Sequence, residues 1–147
     1  MVLKTDIQAT AVSYKNRAIL IQGSSGVGKT YLALQLIEEK AKLIGDDIVE
    51  IFIKNNKLYC MSKEKLKGVA EVRGLGLIAG FKVAKPAPVL CVVRLHKKPV
   101  ERLPQFRTTL LLNKKIPLFD FYACKTTEIQ VRYLLKVLTG QMTLLKE

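Results

Sequence analysis

The stretch Ala18-Ile19-Leu20-Ile21-Gln22-Gly23-Ser24-Ser25-Gly26-Val27-Gly28-Lys29-Thr30 decides the fold. Its opening is a short apolar run suited to a buried strand, and Gly23 to Thr30 fits the pattern G-x-x-x-x-G-K-[S/T] in full. Beyond Thr30, positions 33, 36, 37, 40 and 41 share one helical face, apolar at all but Lys40, with Gln35, Glu38, Glu39 and Lys42 outside. The spacing predicts a helix over 30–43, ended by Gly45. A strand, a glycine loop and an amphipathic helix in that order make a phosphate cradle. Glycines let successive backbone N–H groups turn toward one anion, the helix adds its positive end, Lys29 reaches the outer phosphates, and the Thr30 hydroxyl is placed for Mg2+. The nucleotide-binding set is therefore Gly23, Ser24, Ser25, Gly26, Val27, Gly28, Lys29 and Thr30.

Outward from this unit, residues 8–14 alternate as a strand and Asn16-Arg17 turns the chain into 18–22. Residues 48–53 and 58–61 flank Asn55-Asn56, which tolerates the positive φ of a tight turn, so they form a hairpin. Ser62 caps a short helix toward Gly68. Glycines at 74, 76 and 80 mark 71–80 as a sharply turning loop. Residues 89–95 read as a buried strand after the break at Pro86 and Pro88, and 110–121 as extended chain around Asn113-Lys114-Lys115. Val131, Leu134, Leu135 and Leu138 line one face of a closing helix that Gly140 ends. The expectation is an α/β fold, a P-loop core with a mixed sheet, in one domain spanning 1–147.

Composition is consistent with that. A chain of 147 residues at 49% hydrophobic content is long enough for one core and short for two. No run of about 18 apolar residues appears, and the N-terminus has no signal-like apolar stretch, so a soluble, cytoplasmic protein without membrane contact is expected. Cys60, Cys91 and Cys124 are odd in number, widely spaced and in apolar surroundings, which suits buried free thiols. The net charge of +13 is extreme, but its densest stretches, 63–67, 97–98 and 114–115, carry no interleaved aromatics. That distribution reads as a solvated lysine-rich surface able to attract an acidic partner protein, and speaks against a nucleic-acid interface.

Phosphoryl transfer needs a carboxylate near the metal and a base for the incoming hydroxyl, because the glycine loop alone only holds the donor. Two places offer them. Asp46-Asp47 follows the loop helix at the start of the next strand, where the same pair serves equally as a turn and cap. Glu71-Val72-Arg73-Gly74-Leu75-Gly76 sets a carboxylate and a guanidinium before a glycine loop, which by itself reads as an exposed ion pair ahead of a turn.

Taken together, the glycine loop, the double aspartate and Glu71-Val72-Arg73-Gly74-Leu75-Gly76 resemble the HPr kinase/phosphorylase family, in its short form without the N-terminal domain. The likeness runs from Ala9-Thr10-Ala11-Val12-Ser13-Tyr14 to Glu101-Arg102-Leu103-Pro104. The resemblance implies an enzyme that uses ATP and Mg2+ to phosphorylate a serine of the phosphocarrier HPr, and that removes this phosphate with inorganic phosphate to give pyrophosphate. It implies a fold similar to phosphoenolpyruvate carboxykinase and a hexameric homo-oligomer. Carried over by position, Lys29 binds donor phosphates, Thr30 and Glu71 are metal ligands, Asp47 is the acid/base group beside Asp46, and Arg102 is the catalytic arginine. Three features depart from the family: Gln8 replaces a histidine, Tyr31 replaces an acidic residue, and Ala123-Cys124-Lys125-Thr126-Thr127 shows no clear counterpart of its Pro-Gly-Arg-Asn loop. Glutamine hydrogen-bonds but does not titrate near neutrality, so a degenerate nucleotide-binding regulatory module that binds HPr with little or no phosphotransfer is the alternative. The lone histidine, His96, is expected at the surface.

Overall fold

The computed structural model describes residues 3–100 and 107–145. In chain order it contains β1 (Lys4–Gln8), β2 (Thr10–Tyr14), β3 (Arg17–Gly23), helix α1 (Lys29–Glu38), β4 (Lys42–Gly45), β5 (Ile48–Lys54), β6 (Lys57–Ser62), β7 (Val69–Val72), β8 (Gly76–Ala79), β9 (Ala87–His96), β10 (Arg107–Leu111), β11 (Lys114–Tyr122) and helix α2 (Thr127–Leu138). Nine strands form one curled mixed sheet in the order β1-β5-β6-β9-β3-β2-β4, to which β11 adds along β9 and β10 along β11. β7 and β8 stand apart as a two-stranded hairpin.

The centre of the sheet is parallel, β3 and β11 both running with β9. Strands buried on both faces read as unbroken apolar runs, which is why Ile19-Leu20-Ile21 and Cys91-Val92-Val93 are fully buried without alternation. Their side chains still divide by parity. Leu20 and Val92 join Ala11, Ile51, Leu58 and Leu118 in a core between the wings of the sheet. Ile19, Ile21, Cys91 and Val93 join Phe119 and the inner faces of α1 and α2, through Leu32, Leu36, Val131 and Leu135. Three two-residue hairpin turns carry paired positive φ angles, at Lys15-Asn16, Asn55-Asn56 and Leu112-Asn113. Such turns match the twist of the strands they join.

Several expectations are corrected. α1 ends at Glu38, not near Leu43. Lys40 takes φ 78, its N–H bonds the Ile37 carbonyl and the Ala41 N–H bonds Leu36, a Schellman stop made without glycine. The next apolar residues belong to β4. The strand expected over 8–14 breaks at Ala9, whose N–H goes to the Asp47 carbonyl at 2.9 Å, so β1 pairs with β5 while β2 pairs with β3 and β4. The turn before β3 is Lys15-Asn16, one residue earlier than expected. Ser62 ends β6 and bonds the Ile44 carbonyl; the short 3-10 turn Glu64–Leu66 has no side-chain cap. The glycines of 71–80 serve the β7–β8 hairpin, whose strands pair from Val69↔Ala79 to Val72↔Gly76. Pro88 lies inside β9, opposite Tyr59 near the strand's start, where a missing N–H is tolerated. Cys60 and Cys91 are buried as expected, but Cys124 is exposed. Gly140 does end α2, with φ 78. Among the described residues, no helix is long and apolar enough to cross a membrane.

Candidate functional site

The cleft forms at the carboxyl ends of the parallel strands, where α/β sheets place their ligands. β3 ends at Gly23, and a Cβ there would sit 2.8 Å from the Leu95 carbonyl oxygen and 2.8 Å from Val27 Cγ1. Glycine therefore lets β3 close against β9 while the chain turns into the loop. Val27 points inward, 8% exposed, and anchors the loop in the helix-side core. Gly26 and Gly28 take φ 78 and 111, and around Gly28 a Cβ would meet nothing within 4 Å. No side chain caps α1 and no acidic residue sits in its first turn, so its positive end opens into the cleft.

Lys29 folds back, its Nζ donating to the Gly23 carbonyl at 2.7 Å. The Thr30 hydroxyl donates to Asp46 Oδ1 at 2.8 Å, and the Thr10 hydroxyl donates to the same oxygen at 2.9 Å. Asp46 Oδ2 accepts the Glu71 backbone N–H at 2.8 Å. One carboxylate thus ties β2, the glycine loop and the β7–β8 hairpin together. Asp47 is different: exposed, lining the cleft, with φ 69. The Arg73 guanidinium reaches over the loop, 3.7 Å from where a Cβ on Gly26 would lie.

The cleft measures about 1030 Å3 and brings together Lys29, Thr30, Asp46, Asp47 and Glu71 with Gly23, Ser24, Ser25, Gly26 and Gly28. Its volume is that of a ligand cleft, which runs to roughly 1,000 Å3. Gln8 and Tyr31 also line it, Tyr31 being 68% exposed. Arg102 lies outside the described residues, as does all of Glu101-Arg102-Leu103-Pro104. His96 does not line the cleft; its Nε2 meets Asp120 Oδ1 at 2.6 Å, and Asp120 also pairs with Arg107. Sequence reasoning missed Thr10 and the outer face of α1 (Leu34, Gln35, Glu38) as cleft residues, and gave Arg73 only as part of an exposed ion pair or family signature. Thr10 left no distinguishing signal, since β2 carries a second small hydroxyl at Ser13. Arg73 sits in the quoted signature, but its reach over Gly26 depends on the hairpin.

The oxygens available to a cation are the Thr30 hydroxyl and the Asp46, Asp47 and Glu71 carboxylates, a hard-oxygen set. Among the described residues no group of three or more His, Cys, Asp or Glu side chains converges. Away from the cleft, hydrogen bonds from Thr126 and Thr127 hold the Cys124 thiol pKa below its ordinary value. Burial pushes Cys60 up, and Cys91 up to about 12.

A curled mixed sheet with helices on one face and a glycine-loop cleft at its parallel carboxyl edge defines a mixed α/β fold. Residues 1–84 match the family described as the HPr Serine kinase C-terminal domain, more than half of the chain, and the chain belongs to that family. It is 43% identical over 60 residues to the HPr kinase/phosphorylase of Mycoplasma genitalium, covering 41% of this chain and 19% of that protein. It is 36% identical over 76 residues to the HPr kinase/phosphorylase of Streptococcus pneumoniae, covering 51% of this chain and 24% of that protein. The matches thus span only a fifth to a quarter of these relatives. The Hpr(Ser) kinase/phosphatase from Coxiella burnetii shares the fold, with a TM-score of 0.81 and 22% identity over 94% of this chain and 98% of that one.

Proposed function

We propose that the chain phosphorylates a serine of the phosphocarrier HPr using ATP and Mg2+, and reverses the reaction with inorganic phosphate. The observation that carries this reading is the Asp46 junction, which sets Thr30, Glu71 and the exposed Asp47 around one glycine loop. The residues fit a nucleotide and its cation. Open space at Gly28 and an uncapped α1 suit an anion, and a hydroxyl with one or two carboxylates is what Mg2+ takes from protein when phosphates complete its shell. Bound Mg2+ would neutralise charge on the transferring phosphoryl group.

In this reading Lys29 leaves the Gly23 carbonyl for the outer phosphates, while Thr30 and Glu71 face the cation. Asp47 accepts the serine proton as the serine oxygen bonds to the γ-phosphorus and ADP leaves. In the reverse direction phosphate attacks phosphoserine, pyrophosphate forms and Asp47 returns the proton, as microscopic reversibility requires. Arg102 is assigned to charge stabilisation by family likeness alone, and so are a P-loop core similar to phosphoenolpyruvate carboxykinase, a hexameric assembly and a cytoplasmic location. HPr itself enters through the names of the relatives.

The test is transfer of labelled γ-phosphate from ATP to purified HPr. Wild type should label HPr, and Lys29→Ala and Asp47→Asn should each lower labelling at least 100-fold; equal labelling by either variant refutes the assignment. A second reading, a regulatory module that binds nucleotide and HPr without transfer, rests on Gln8, which lines the cleft but cannot titrate near neutrality. If it holds, wild type binds ATP with little or no labelling of HPr, and Gln8→His raises any residual turnover by roughly 10²–10⁴-fold.

A further inference from the structure

We propose that Thr10 is a positioning residue that fixes the two aspartates relative to each other; the inference rests on the phosphotransfer reading above. Thr10 opens β2 and is 1% exposed. Its hydroxyl donates to Asp46 Oδ1 at 2.9 Å and accepts the Asp47 backbone N–H at 3.3 Å. A hydroxyl has one proton to give and lone pairs to receive, so both contacts are made at once. Each matters for a different reason.

Asp46 carries the orientation of the site. Its Oδ1 is shared by Thr10 and Thr30, and its Oδ2 holds the Glu71 N–H at 2.8 Å. Thr10 is the buried member of that set, so it fixes the carboxylate on which Thr30 and the β7–β8 hairpin rest. Asp47 carries the chemistry and is held in a strained shape. The Ile48 N–H bonds the Asp46 carbonyl at 2.8 Å, closing a three-residue turn around Asp47 at φ 69, the rare and costly hand of that turn. Such a conformation persists only when its surroundings enforce it. Here the end of the β1–β2 break grips Asp47 on both sides, Ala9 bonding its carbonyl and Thr10 receiving its N–H.

Valine has the shape of threonine with neither donor nor acceptor. Thr10→Val should leave the fold intact but release the Asp46 carboxylate to turn and the Asp47 peptide to relax. A misplacement of about 1 Å near a reacting group costs on the order of 100-fold. Thr10→Ser keeps the hydroxyl.

The experiment compares wild type, Thr10→Val and Thr10→Ser as full chains in HPr phosphorylation, with ATP and Mg2+ titrated, and follows amide hydrogen exchange at Glu71. Thr10→Val should lower kcat by roughly 10- to 100-fold with the KM for ATP within about threefold of wild type, and should raise the half-saturating Mg2+ concentration. Thr10→Ser should stay within about threefold of wild type. Exchange at Glu71 should quicken in Thr10→Val, because that N–H bonds Asp46 and not Thr10. A folded valine variant with unchanged kcat, or a serine variant as slow as the valine one, overturns the proposal. Where wild type transfers no phosphate, the functional reading fails and Glu71 exchange decides alone: quickened exchange supports the positioning role, unchanged exchange overturns it. If the valine protein does not fold, Thr10→Ala is read by the same criteria.

Discussion

Asp46→Ala tests whether the junction holds the site together or merely decorates it. Asp46 accepts from the Thr10 hydroxyl, the Thr30 hydroxyl and the Glu71 N–H. The three donors are not equally placed. Thr10 is 1% exposed, so its hydroxyl finds no water and its loss costs about 1–3 kcal/mol, the desolvation penalty of a buried unpaired group. Thr30 and Glu71 border the cleft, where water replaces the carboxylate, and each contributes roughly 0.5 kcal/mol. The sum is about 2–4 kcal/mol, which lowers Tm by roughly 5–15 °C in a chain of this size. Asp46→Asn separates geometry from charge. An asparagine carbonyl can accept from both threonine hydroxyls, as Oδ1 does now, while its amide replaces the oxygen facing the Glu71 N–H, which water in the cleft can take over. The Glu71 bond and the charge assistance are lost but the buried Thr10 bond is kept, so Asp46→Asn should cost about 1 kcal/mol. Thermal melts followed by circular dichroism, backed by urea titration, measure both. An alanine variant within about 1 °C of wild type, or an asparagine variant as unstable as the alanine one, would refute the reasoning.

Asp47→Gly should raise stability while removing transfer. The substitution relieves left-handed backbone at φ 69, a cost of about 1–2 kcal/mol, against about 0.5–1 kcal/mol of added chain entropy, leaving a gain of about 0.5–1 kcal/mol in urea titration; a less stable glycine variant contradicts the strain argument. Among the thiols, Cys124 should alkylate first in native protein, because it is exposed and its lowered pKa enlarges the thiolate fraction near neutrality. Its rate should rise with pH through that lowered pKa, and Thr126→Ala should slow it at pH 7. Cys60 and Cys91 should label only on unfolding, and mass spectrometry of iodoacetamide-treated native protein showing all three modified alike would count against this.

The strand, glycine loop and start of α1 were legible because their signals are local: apolar run, glycines at fixed spacing, then helical periodicity. The hairpin at Asn55-Asn56 and the Gly140 stop were legible for the same reason. What escaped was set by tertiary contact. The helical pattern ran on past Glu38 because Leu43 and Ile44 of β4 are as apolar as a buried helical turn, and periodicity cannot separate the two. The real stop is Lys40, a residue that carries no stop signal. The alternation over 8–14 concealed the break at Ala9 because strands lie on both sides of it. Cys124 follows apolar neighbours in sequence yet emerges at the turn before α2. The spacing of Asp46 and Asp47 left a turn and a site equally open, since only the fold brings Thr10 and Glu71 to them.

Backbone strain, sorted by cause, bears on the proposed role of that pair. Of the non-glycine residues with positive φ among those described, six form the three hairpin turns and Lys40 stops α1. Each of these seven follows from local turn or helix geometry. Asp47 remains, and it neither joins paired strands nor ends a helix. The strands on either side of it pair elsewhere, β4 with β2 and β5 with β1 and β6. Its turn coincides with the Ala9 break and with a carboxylate that gathers three donors from distant parts of the chain. A turn needing only to change direction would do so at lower cost with glycine. The cost is met instead by interactions that also aim an exposed carboxylate into a glycine-loop cleft, and the strain at Asp47 thereby supports the proposal that the double aspartate serves the chemistry of the cleft.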